Sequence, residues 1–133
     1  MSTGADVVVQ VRFDRESIEA VKQMTQAAIM AAIERVKARL SAYAMSGQSN
    51  VPVRTGRLRA SFDVASTPRS LVFKWSAIDP KSGYDYAKIQ DVGGVTGTGG
   101  AIEGKDFSRH CREYAREWLR EELLNALAGM VAP

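Results

Sequence analysis

The chain has 133 residues but only one cysteine and one histidine. With Cys111 alone there can be no internal disulfide, thiol pair or cysteine-rich zinc cluster, which fits a reducing compartment. His110 adds too few ligands for a metal site. The two residues are neighbours, and adjacent positions on a helix point about 100° apart, so they do not form a cysteine–histidine catalytic pair. The expected arrangement is Cys111 in the core and His110 near its edge. No eighteen apolar residues occur in succession, and the first residues, MSTGADVVV, lack a basic segment followed by an apolar run. A soluble protein without the usual secretory signal is therefore expected. Charge of one sign is also scarce: the net charge is +3, with no call for a nucleic-acid partner on that ground alone.

What is present suffices for one core. At 45% hydrophobic content the chain can bury roughly two-thirds of its unfolded surface as a single domain spanning residues 1–133. Val7, Val9, Val11 and Phe13 alternate with Val8, Gln10 and Arg12, the period of a strand with one buried face. Asp14 is placed to cap a helix, with Phe13 packing on Ile18 as a staple. From about residue 15 to 45, Ile18, Val21, Thr25, Ala28, Ile29, Ala32, Val36, Leu40 and Tyr43 recur at three- and four-residue steps. Read as one helix, this segment makes a rod of roughly 45 Å, long enough to project from a small domain. Gly47 is a natural stop.

Pro52 biases Val51 toward extended backbone. Thr55 then fits a helix N-cap, Gly56 allows the turn, and Leu58 is buried with arginines exposed beside it. Phe62 and Val64 begin a strand, Thr67 to Ser70 make a turn, and Leu71, Phe73, Trp75 and Ala77 alternate with Val72, Lys74 and Ser76 as the second arm of an antiparallel hairpin. Phe73 and Trp75 fall on the buried face. Asp79 to Gly83 closes the next turn, and Tyr84 to Gln90 is a short strand or a helical turn. Residues 93–104 hold six glycines and no periodicity, the pattern of a flexible loop. From about Asp106 a last helix carries Phe107, Cys111, Tyr114, Ala115, Trp118, Leu119, Leu123, Ala126, Leu127 and Met130 on one side. Its charged side suggests the ion pairs Glu113–Arg116 and Glu117–Arg120. The fold class is α+β: an antiparallel sheet of three to five strands, packed by one long N-terminal helix and a C-terminal helix, with a long Gly-rich loop.

Gly99 to Lys105 matches the first seven positions of a phosphate-binding loop, but Asp106 stands where a magnesium-holding Ser or Thr belongs, and no apolar parallel strand leads in. Six basic residues between 50 and 81, including Arg54, Arg57, Arg59, Arg69 and Lys74, oppose only Asp63 and Asp79. This cluster has three readings: a solvated sheet edge, forks for carboxylates of a neighbouring subunit, or contacts to DNA.

The segment VPVRTGRLRASF, Val51 to Phe62, together with YDYAKIQDVG, Tyr84 to Gly93, resembles the paired motifs P-x-x-T-G-x-L-x-x-S and Y-A-x-x-x-x-x-G of small neck and tail-completion proteins of tailed bacteriophages, often described as minor capsid proteins. Pro52, Thr55, Gly56, Leu58 and Ser61 occupy the first motif; Tyr86, Ala87 and Gly93 occupy the second. The departure lies after Gly93, where many relatives have a shorter loop ending in Pro-Phe and this chain has Asp106-Phe107. The resemblance implies a structural virion protein at the head–tail junction, assembled in the host cytoplasm. It implies a homo-oligomeric ring, commonly sixfold in related components, docking to other neck, head-closure and tail proteins, with passive contact to DNA in a channel. It implies no enzyme activity, cofactor, metal, membrane or small-molecule substrate. The candidate assembly residues are Arg54, Thr55, Gly56, Arg57, Arg59, Tyr86, Gly93, Gly94, Gly97, Gly99, Gly100 and Gly104, with residues 93–104 reaching onto a neighbour. The alternative is a DNA-binding module using Arg54, Arg57 and Arg59.

Overall fold

The computed structural model describes residues 4–52, 56–95 and 99–131. Strand β1, Val7–Arg12, is followed by helices α1, Arg15–Lys22, and α2, Gln26–Met45. A 3₁₀ turn over Gly47–Ser49 and a single helical turn, α3, Arg57–Ala60, lead to the hairpin of β2, Asp63–Thr67, and β3, Ser70–Trp75. Helix α4, Ala87–Val92, the two-residue strands β4, Gly94–Val95, and β5, Ala101–Ile102, and the long helix α5, Phe107–Val131, complete the fold. The architecture is α+β: β1, β3 and β2 form an antiparallel sheet in that order, with β3 central.

The pleat places Val7, Val9 and Val11 opposite Trp75, Phe73 and Leu71, all on the face covered by helices. There α5 lies against β1, α2 against β2, and the two helices pack on each other. Trp75, Phe73, Leu71, Phe107, Leu40, Leu119 and Leu123 are fully buried. The Trp75 ring meets Phe107 edge-on at 4.8 Å and Phe62 at 5.1 Å, tying the hairpin to the start of α5. The other face of the sheet, including Val8, Gln10, Arg12 and Lys74, is open to solvent.

The expected unbroken helix over residues 15–45 is two helices. The Thr25 side chain, taken for part of the apolar stripe, accepts from the Ala28 N–H at 3.2 Å with extended backbone, so α2 starts anew there. The rod shortens accordingly, and at about 30 Å α2 is shorter than α5, at about 37 Å. Asp14 caps α1 as expected, accepting from the Ser17 N–H at 2.8 Å. Among the described residues, no helix is long and apolar enough to cross a membrane.

Candidate assembly interface

The two motif segments meet at one end of the molecule. Ser61, last residue of the first motif, closes α3 by donating to the Leu58 carbonyl at 2.6 Å and accepts from the Ser76 N–H at 3.1 Å. The Ser76 hydroxyl in turn donates to Asp85 Oδ2 at 2.6 Å, while Asp85 Oδ1 accepts from the backbone of Ala77 at 2.9 Å and Ala87 at 3.1 Å. Asp85 is buried, so its charge is held by three donors instead of water. Its own carbonyl accepts from the Ala5 N–H, and Lys88 N–H bonds the Ala5 carbonyl, which fixes α4 beside the entry of β1.

Asp91 performs a similar task further along, inside α4. Buried in α4, it accepts from both the backbone N–H and the hydroxyl of Ser108, at 2.9 and 2.5 Å, at the start of α5. Neither Asp85 nor Asp91 was singled out from the sequence. Asp91 bonds Ser108 across a separation of seventeen residues, which no local sequence rule connects.

Between these anchors, the chain after α4 leaves and returns through β4 and β5, with Gly94 opposite Ile102 and Val95 opposite Ala101. The base is a backbone-to-backbone crossing. A Cβ on Gly104 would lie 2.5 Å from the Val92 carbonyl carbon and 2.7 Å from the Gly93 nitrogen; Gly93 itself has φ +81°. Only glycine at both positions allows the approach. Residues 93–95 and 99–104 thus carry a paired arm where no strand was expected, while Gly97 lies outside the described residues. The arm's Gly99 and Gly100 are exposed, and Gly94 stands in β4 with a φ of +155°.

The arginine cluster divides. Arg54 and Thr55, with the proposed helix cap, lie outside the described residues. Gly56, at φ +76°, precedes α3 without a side-chain cap. Arg57 is exposed and close enough to Asp79 to add to the lowering of that carboxyl, whose main cause is the Lys81 N–H, followed by the Ser82 N–H. Arg59, expected to be exposed, instead turns inward and donates to the carbonyls of Val51 at 2.9 Å and Met45 at 3.4 Å. It satisfies the end of α2, because a helix of one turn points Arg59 back across that terminus. Tyr86, half-buried against the core, immediately precedes α4.

The segment resembling a phosphate-binding loop is used otherwise. Lys105 and Asp106 donate their N–H groups to the carbonyls of Gln90 and Asp91 at 2.9 and 2.8 Å, so these amides are spent on the arm's base. Cys111 lies in the core, where burial pushes its thiol up to about 12. Among the described residues, no three His, Cys, Asp or Glu side chains are grouped to hold a metal.

At the opposite end, α1 and the second half of α5 flank an open groove of about 330 Å³ lined by Arg15, Glu16, Glu19, Ala20, Gln23, Leu124 and Leu127. No protein-family model, curated protein or solved structure matches this chain.

Proposed function

We propose that this protein is a structural component of the head–tail junction of a tailed bacteriophage, self-associating into a ring and docking to neck or tail proteins. The observation that carries this reading is the bonded chain Ser61–Ser76–Asp85. Two motifs separated by about two dozen residues, which together resemble those of neck and tail-completion proteins, join there in one support. That support leads directly, through α4 and Gly93, into the projecting β4–β5 arm. A rigid base under an arm suits a part that works by fitting onto other parts, since little ordering entropy remains to be lost on docking. A DNA-binding role has less support, because Arg59 is committed to backbone carbonyls and Arg57 sits near Asp79.

Inactivating the gene in a phage that encodes this chain is expected to give DNA-filled heads and separate tails, restored to joined particles by adding the purified protein. Normal infectious particles made without it would end this reading. Tight DNA binding that falls steeply with salt and is lost on Arg57→Ala would favour the alternative.

A further inference from the structure

The three-stranded sheet has two edges, and they are not alike. β2 closes one side with five residues, DVAST, whereas β1 closes the other with six, VVVQVR, of which four are valine. Phe13, continuing β1, donates its N–H to the Arg69 carbonyl at 2.9 Å. Antiparallel pairs alternate between bonded and non-bonded, so in the register Val11–Leu71, Val9–Phe73 and Val7–Trp75 it is the odd-numbered residues whose backbone addresses β3. The N–H and C=O groups of Val8, Gln10 and Arg12 therefore point away from the sheet, and among the described residues no other backbone meets them. Their side chains share the open face, where Val8 is 58% exposed. Such an edge is a template for another strand.

Charge selects the occupant. By alternation Asp6 and Arg12 bracket β1 on the same open face, both exposed, and neither has an ion-pair partner among the described residues. The charges around them leave each end its sign. Asp14 is held by Arg120 at 3.5 Å, Arg15 and Glu16 follow in α1 with opposite signs, and Lys74 stands across from Asp63. Arg69, bonded to Phe13, reinforces the positive end; Lys88, bonded through its amide to Ala5, is an exposed cation near the negative one and engages it only weakly. Laid antiparallel on a second β1 with Val9 opposite Val9, Asp6 of each copy faces Arg12 of the other, Val8 faces Gln10, and Val7 faces Val11 on the helix-covered side. Outward-pointing residues then oppose one another, so the backbones exchange about eight hydrogen bonds. The next permitted registers set Asp6 against Gln10 or Asp14 and lose both ion pairs. β2 of another copy carries no cation to meet Asp6.

We propose that β1 is a self-complementary docking edge, through which two copies pair β1 to β1 and join their sheets into one of six strands with all helices on the same side. This contact goes beyond the ring reading and does not rest on it. Being two-fold, it does not close a ring; it links two copies, or two rings back to back.

Charge reversal tests it. In Asp6→Arg the pairing sets cation against cation at both ends, and in Arg12→Asp it sets acid against acid. Mixed in equal amounts, the two variants restore both attractions. By sedimentation and native mass, each variant alone is expected to pair at least tenfold more weakly than the parent and to show half the parent's mass, and the mixture to recover that mass. Both residues are exposed, and circular dichroism checks that the fold is retained. Variants that assemble as the parent does, or a mixture no heavier than its parts, overturn the pairing. So does a parent that remains monomeric at about 1 mM, where a contact with a Kd of that size would be half formed. A parent that makes only two-fold dimers, split by either variant, supports the pairing and ends the ring reading. A ring unchanged in mass by either variant does the reverse.

Discussion

The two ends of this molecule are built by different physics. At the motif end, buried carboxylates and close backbone approaches fix the geometry: Asp85 binds three donors, Asp91 holds the start of α5, and Gly93 crosses Gly104. At the other end, α1 and α5 meet through apolar side chains and the solvent-exposed pair of Asp14 and Arg120. Buried polar networks are intolerant of change, because each lost partner leaves an unsatisfied group in low dielectric. Exposed ion pairs contribute little and re-form easily. The contrast is that of a rigid end and an adaptable one.

The most severe way to test that contrast is to remove Asp85. Asp85→Ala leaves the Ser76 hydroxyl and the Ala77 and Ala87 N–H groups without their acceptor, and a loss of about 3–5 kcal/mol is expected in denaturant unfolding. A loss under about 1 kcal/mol would mean that water replaces the carboxylate and the end is not rigid. Gly104→Ala comes next. Its methyl group would meet backbone atoms that cannot rotate away, so about 2–3 kcal/mol is expected, with the amides of Lys105 and Asp106 exchanging faster.

Cys111 probes the second turn of α5, just past the Asp91–Ser108 anchor. Its folded pKa, about 12, stands above its ordinary value, so the folded state keeps the neutral thiol while the unfolded chain ionises. The contribution is complete at neutral pH and is lost as pH rises above about 9, reaching about 1.4 kcal/mol by pH 10. Comparing the stability of the parent and Cys111→Ala between pH 7 and 10 isolates this slope; identical slopes would contradict the thiol's burial. The smallest effect is expected from Arg120→Ala, at most about 0.5 kcal/mol, since both partners of the pair with Asp14 are exposed. A loss comparable to that of Asp85→Ala would abolish the distinction between the ends.

The elements of this fold were largely legible because they obey simple periods. Alternation placed Val11, Phe73 and Trp75 in the core, and the three- and four-residue spacing placed Phe107, Cys111 and Leu119 there. The break between α1 and α2 was missed because Thr25 keeps the spacing of the stripe while serving as a cap, and periodicity cannot distinguish the two roles. Ion pairing on α5 was legible only in kind. Glu113 meets Arg109 at i,i+4, and Arg120 reaches across to Asp14, because tertiary neighbours compete with those on the same helix.

The candidate site was less readable than the fold. Ser61 was visible as a motif residue, but its partner Ser76 and the carboxylate of Asp85 come from other segments, and no local rule announces a contact across fifteen or nine residues. Arg59 was misplaced for the same reason, its acceptors at Met45 and Val51 being set by how α3 docks on the end of α2. Glycine content marked residues 93–104 as irregular, yet the same glycines permit the crossing that organises the arm's base. Composition reports the freedom of a backbone, and packing decides its use.

The most direct measurement of the proposed self-assembly is the native mass of the purified protein, followed by electron imaging of any assembly. A closed ring of identical copies is the predicted result. A chain that stays monomeric, or stops at a two-fold dimer, would contradict it.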